Sequence, residues 1–195
     1  MSEEDTTDAS TDALLFERWE IDGIEFTDPS TKRYINLTPI AHTMGRHSQK
    51  QFEKSEISIV ERLVNRMMQT SDNTGKKQQT TRIVREAFEI VEDRTEENPV
   101  QVLVRAIEQS APREETVRLK YGGISVPQAV DVGPQRRVDQ SLKFIANGAH
   151  NVSHKAPTSA AQALAQQLIG AANGDVQTYA VGQKEEKERV AAAAR

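Results

Sequence analysis

Residues 75–107 read GKKQQTTRIVREAFEIVEDRTEENPVQVLVRAI, and the spacing of their apolar side chains decides the fold class. Ile83/Val84, Ala87/Phe88 and Val91 recur every four residues, which puts them on one helix face turned toward a core. The pattern ends near Arg94. Asn98 then supplies a capping oxygen, Pro99 presets the backbone of a first helical position, and Val100, Leu103, Val104 and Ile107 begin a second face. Pro112 stops that helix. Two amphipathic helices in succession predict a core built by packing helix on helix.

The flanking text continues the pattern on both sides. Upstream, Ile57, Val60, Val64 and Met67/Met68 share one face, and Ser58 with Glu61 has the spacing of a capping box. Downstream, Val117, Leu119 and Tyr121 alternate with Arg118 and Lys120, Gly122-Gly123 can turn the chain, and Ile124, Val126 and Val130 return. This predicts a β-hairpin over about 116–132. Pro127 cannot donate to a ladder, which restricts the returning strand to an edge or a free ribbon. Gly133-Pro134 opens a further helix with Val138, Leu142, Ile145 and Ala149. Ser159 and Gln162 cap another that carries Leu164, Ala165 and Leu168, and Gln183 to Ala194 is helix-prone. The fold class is mainly α, a bundle of about six helices with a protruding two-stranded β-ribbon arm. Residues 1–12 are expected to be a disordered acidic leader, 13–54 an irregular extension lying on the body, and 55–195 the helical domain.

Composition narrows the function classes. The chain has 195 residues, no Cys and a net charge of −4; disulfides, thiolate metal sites and cysteine nucleophiles are excluded. No uncharged apolar run approaches the roughly 20 residues of a membrane span, and the acidic start is the reverse of a signal peptide. A soluble, unprocessed chain with no membrane partner is expected. The charge is unevenly distributed: residues 1–31 hold ten acids against Arg18, and the remaining 164 residues carry 24 Lys and Arg against 19 Asp and Glu. An acidic leader precedes a mildly basic body.

Enzyme motifs are incomplete. Gly75-Lys76-Lys77 looks like the end of a phosphate loop, but Thr70 stands where its first Gly belongs and Lys77 where Ser or Thr is required. His150 and His154 have metal-ligand spacing, yet Asn151 replaces the general base of a zinc protease, and Gly148 and Pro157 bracket the stretch as a loop. No enzyme, cofactor or metal is expected. The basic residues form a clearer pattern. Arg46, Lys50 and Lys54 precede the first core helix; Lys76, Lys77, Arg82 and Arg85 enter the second; Arg113, Arg118 and Lys120 lie on or beside the ribbon; Arg136-Arg137 occupy the first turn of the next helix, and Lys155 follows its end. Cations at a helix start oppose the helix dipole, and a phosphate held by both the arginines and the free N–H groups would relieve this. Such clusters point to a nucleic-acid surface. With nine aromatic residues, several of them in the leader, no stacking platform for single strands is expected, which favours folded RNA. The competing reading is a helical protein-interaction module whose basic patches are merely solvated.

At these residues the sequence resembles a known family. Gly75-Lys76-Lys77, Arg82-Ile83-Val84, Ala87-Phe88-Glu89-Ile90, Asn98 to Val104, Pro112-Arg113-Glu114, Gln128 to Val132 and Arg136-Arg137-Val138 are similar to ribosomal protein seven of the small subunit, called protein five in eukaryotes. Trp19, Tyr34-Ile35, Ile59 to Leu63, Leu168-Ile169 and Glu188 to Ala191 resemble its archaeal and eukaryotic branch. The resemblance implies a primary binder of the 3′ major domain of small-subunit rRNA that nucleates head assembly near the decoding centre. It implies neighbouring head proteins, exit-site tRNA and mRNA as surroundings. By position, Arg46, Lys50, Lys54, Lys76, Lys77, Arg82, Arg136 and Arg137 would hold rRNA, and Arg118, Lys120, Gly122 and Gly123 of the ribbon would face the exit site. An acidic total is unusual for an rRNA binder. It suits a cytosol of molar salt, as in a halophilic archaeon, where the Debye length falls to about 3 Å and close arginine contacts outweigh long-range attraction.

Overall fold

The computed structural model describes residues 14–43, 45, 47 and 49–195. Its helices are α1 (Pro29–Lys32), α2 (Ile59–Met67), α3 (Lys77–Thr95), α4 (Pro99–Ser110), α5 (Pro134–Ser153), α6 (Ala160–Ala172) and α7 (Tyr179–Ala193). Strands β1 (Glu114–Tyr121) and β2 (Ile124–Asp131) lie between α4 and α5. Two 3-10 turns, Glu53–Ser55 and Ser71–Asn73, precede α2 and α3. The fold is the mainly α bundle with a two-stranded arm that the periodicity predicts. The acidic leader expected at 1–12 lies outside the described residues.

The core is organised around α6. Its sequence, AAQALAQQLIGAA, contains no charged residue, so no edge of it prefers water strongly. It packs against α3, α4 and α5 together. Ala161, Ala165, Ala171 and Ala172 are buried beside Leu164 and Leu168; small side chains let the neighbouring helices approach closely. The start of α6 is closed by the capping box that the Ser159/Gln162 spacing predicts. Gln162 N–H donates to Ser159 Oγ at 3.2 Å, and Ser159 N–H donates to Gln162 Oε1 at 3.4 Å. Around α6, Phe88, Leu103, Ile107, Leu142 and Ile145 are fully buried.

Residues ahead of α2 complete this core. Leu15, Trp19 and Ile35 are buried in it. The Trp19 ring meets Phe88 edge-on at 5.7 Å, and its indole N–H donates to Glu92. Backbone amides of Glu25 and Asp28 donate to Gln101 and Glu108 on α4, so buried apolar surface and satisfied backbone donors both hold the segment to the body.

Two expectations are corrected. Ser58 does cap α2 by position, but its hydroxyl donates to the Thr38 carbonyl at 2.9 Å, and Glu61 binds Thr43 and Lys77. The capping-box pair is recruited by tertiary partners. The stretch around His150 is also not a loop: α5 runs through Gly148 to Ser153, with His154 as C-cap. Gly148 serves close packing, since a Cβ there would sit 2.4 Å from Gln167 Oε1 and 3.1 Å from Tyr179 Cβ.

The arm is antiparallel from Glu114↔Asp131 to Tyr121↔Ile124. Gly122 and Gly123 both have positive φ, 55° and 89°, which a two-residue hairpin turn of right-handed twist requires. The base of the ribbon packs on α7, and the ring of Pro127 sits opposite Arg118 on an open edge. Among the described residues no helix is long and apolar enough to cross a membrane.

Truncating the centre of this packing has a defined cost. Leu164→Ala should destabilise the protein by about 2–5 kcal/mol in denaturant unfolding, whereas Lys120→Ala on the exposed arm should stay within about 0.5 kcal/mol.

Candidate nucleic-acid interface

Two clefts are lined in part by His42, Gly45, His47 and Gln49. The first, about 450 Å³, is lined by His47, Gln49, Lys54, Arg62, Asn65, Arg66, Gln69 and Asp139 among others. The second, about 670 Å³, is lined by His42, Gly45 and the run Gly75 to Gln79. Gly45 borders both, so the two clefts, one beside α2 and one at the start of α3, adjoin. Arg46, assigned to rRNA from the sequence, falls between Gly45 and His47 in the chain but outside the described residues.

In the first cleft two cations converge on one carboxylate. Asp139 of α5 accepts from Lys54 and from Arg62, the latter at 2.9 Å. Burial pushes the Asp139 carboxyl up, but hydrogen bonds from Lys54 and Arg62 outweigh it and hold the group below the usual carboxylate range. Arg62 also donates to the Tyr34 carbonyl at 2.7 Å and is 5% exposed. Its neighbour Arg66, one turn on along α2, makes no ion pair among the described residues; it donates only to Gln69. Two arginines at i,i+4 repel. With Lys54 they leave the cleft positive after Asp139 is counted, which is an environment for a further anion. Arg66 was missed from the sequence because α2 reads there as a core helix. Its partial exposure beside Arg62 shows only once the bundle is assembled.

The second cleft presents the amino end of α3, whose N-cap Lys76 makes no side-chain cap. Lys77, however, points inward to Glu61, which is 2% exposed and also accepts from Thr43 N–H and Oγ1. Burial raises the Glu61 carboxyl, and the Lys77 and Thr43 hydrogen bonds more than reverse that. Lys77 therefore ties α3 to α2 and the extension.

The other predicted residues divide the same way. Lys50, Lys76, Arg113, Arg118, Lys120 and Lys155 are exposed and make no ion pair among the described residues. Arg82 and Arg85 make long i,i+4 pairs with Glu86 and Glu89 at 3.6 and 3.7 Å on an exposed face; such pairs contribute little and can be exchanged for phosphate. Gly122 and Gly123 form the exposed tip of the arm.

Arg136 and Arg137 at the start of α5 have different fates. Arg136 is exposed and reaches Glu115 of β1 through both Nε and Nη2, at 2.7 and 2.9 Å. Burial raises the Glu115 carboxyl, while Arg136 and Gln140 pull it net below the usual range. Arg137 is 7% exposed. It donates to Asp28 Oδ2 at 2.8 Å and Ser30 Oγ at 2.7 Å. The conflict between these cations and the helix dipole is thus relieved by carboxylates from β1 and from the N-terminal segment. Phosphate is not required for that purpose.

The Asp28–Arg137 pair generates a stability prediction. Asp28→Ala should cost about 3 kcal/mol, since it leaves the buried Arg137 without its carboxylate, and Arg137→Ala should cost less, since Asp28 keeps Ser30 and partial access to solvent. The double variant should cost clearly less than their sum in a double-mutant unfolding cycle.

Comparison with known proteins supplies the context for this surface. A family profile described as "Ribosomal protein S7p/S5e" matches residues 31–195. The small ribosomal subunit protein uS7 of Halococcus morrhuae is 75% identical over 186 residues, covering 95% of this chain and 92% of that protein. The protein of the same name from Haloarcula marismortui is 70% identical over 206 residues, spanning 100% of both chains. That of Methanoregula boonei is 53% identical over 185 residues, with 94% and 91% covered. The match takes in the basic tract, the arm and every helix from α2 to α7, and on this ground the chain belongs to the ribosomal protein S7p/S5e family.

Proposed function

We propose that this chain binds the 3′ major domain of small-subunit rRNA and nucleates assembly of the subunit head, with the arm directed toward the decoding centre and exit-site tRNA. The coarser part follows from the family: it is a structural protein of the small ribosomal subunit, a component of the cytoplasmic ribosome in contact with rRNA and other ribosomal proteins, and not an enzyme. The reading of an interaction module without RNA is set aside on the same ground.

The observation that carries the finer reading is the set of cations Lys54, Arg66 and Lys76 lining the two clefts, with the exposed Lys50 next in sequence to the cleft residue Gln49. It is held on α2, α3 and α5 by buried pairs that leave these four side chains at or near the surface. Rigid placement of cations suits recognition of a folded RNA, where shape and phosphate positions carry the information. Arg82, Arg85, Arg113, Arg136 and Lys155 extend the surface. Arg137 and Lys77 support it from within, positioning α5 and α3. The arm contributes Arg118 and Lys120, and its exposed Val117, Ile124 and Val126 offer apolar surface to a neighbouring head protein or a nucleotide.

Hydroxyl-radical footprinting on a head-domain rRNA fragment tests this reading: protection confined to that fragment is expected, and protection equal to that of unrelated RNA would overturn it. Lys50→Ala with Arg66→Ala should weaken binding roughly tenfold or more and flatten the salt dependence by about 0.7–0.9 in slope per lost phosphate contact, without loss of helical signal. The acidic excess should also show in stability. The unfolding midpoint should rise between low and molar KCl, as repulsion among the surface carboxylates is screened.

A further inference from the structure

Two imidazoles and a carboxylate meet where α5 ends against the Ser71–Asn73 turn. His150 lies in the last turn of α5 and His154 is its C-cap, with the rings 5.2 Å apart at 38°. Asp72 Oδ2 stands 3.3 Å from His154 Nδ1 and 3.8 Å from His150 Nδ1. One donor atom from each of the three residues lies within 4.8 Å of the others. Among the described residues this is the one such grouping of three His, Cys, Asp or Glu side chains.

We propose that Asp72, His150 and His154 form a binding site for one divalent transition ion of zinc's class. The donor set is two neutral nitrogens and one carboxylate oxygen, which borderline cations accept. Zinc bonds of about 2.0–2.1 Å in tetrahedral array place donors about 3.3 Å apart. The two Asp–His separations, 3.3 and 3.8 Å, are already near that spacing. The third separation, between the two imidazoles, lies within 4.8 Å. The carboxyl end of a helix carries partial negative charge, which favours a cation there. Asp72 and His154 are exposed and His150 is partly so, so an ion enters without opening the fold, and a fourth position faces solvent.

The consequence is mechanical. Asp72 belongs to the turn that leads into α3, and Lys76 Nζ donates to the Asp72 carbonyl at 3.0 Å. An ion held by Asp72 and the two histidines would fasten this turn, and with it the Lys76 edge of the second cleft, to the end of α5. The chain has no Cys and four His, which leaves His42 and His47 as the competing imidazoles to be controlled.

The test needs no RNA. Full-length protein freed of metal by chelator is titrated with Zn2+ by calorimetry and with Co2+ by visible absorption. One equivalent should bind, with the intense bands of tetrahedral Co2+. His154→Ala should weaken binding at least about tenfold, and Asp72→Asn with His150→Ala and His154→Ala should abolish it. His42→Ala with His47→Ala should bind as the unaltered chain does. Absence of stoichiometric binding, equal binding by the triple variant, or loss of binding in the His42/His47 variant would each overturn the proposal. His154→Ala is at an exposed cap, and its metal-free unfolding midpoint should match that of the parent, separating a lost ligand from a lost fold.

Discussion

Everything in this molecule depends on α6 being buried on several sides at once. A helix with no charge in thirteen residues and a face of Ala and Leu is stable only where three other helices remove it from water. That requirement brings α3, α4 and α5 around a common axis. It also determines what each of those helices can expose. The outer faces of α3 and α5 are where their charged residues can meet solvent or a ligand, and α2 packs on both of them to complete the clefts.

The charges then sort into two populations by burial. Arg62, Lys77 and Arg137 are drawn inward and matched to Asp139, Glu61 and Asp28. A cation in such a place must be paired, because its desolvation is far costlier than any surface attraction. These pairs act as struts: each connects separate elements of the fold. Lys54, Arg66, Lys76 and Arg136 remain at or near the surface, the first and last held by Asp139 and Glu115, the other two with no ion pair among the described residues. An acidic N-terminal segment is thus part of the basic surface's construction. Asp28 fastens α5, and Thr43 helps hold Glu61.

Much of the fold is visible in local spacing. The α3 and α4 boundaries follow from Asn98-Pro99 and from apolar recurrence, the α6 cap from Ser159 and Gln162, and the hairpin from Gly122-Gly123 between alternating strands. The misreadings share one cause. Ser58 with Glu61 has the spacing of a local cap, but Thr38, Thr43 and Lys77 compete successfully for both groups. Gly148 has the look of a helix end, yet it is the point where α5 meets Gln167 and Tyr179. Local signals describe preferences of a few kcal/mol or less, and contacts made in the folded core override them.

For the interface, residue type alone marks where cations are dense, and the motifs carrying the family resemblance lie among them. The class of fold, the arm, the family and the basic character of the body were therefore settled by sequence. Tertiary structure decided which of those cations are available. Arg137 and Asp28 are 109 positions apart, Arg62 and Asp139 77, and His154 and Asp72 82. Helical periodicity relates residues three or four positions apart and carries no information across such separations. Only tertiary packing, here of α5 against α1, α2 and the Ser71–Asn73 turn, brings these groups within hydrogen-bond reach, and at that range burial and charge pairing assign one arginine to the interior and its neighbour to the surface.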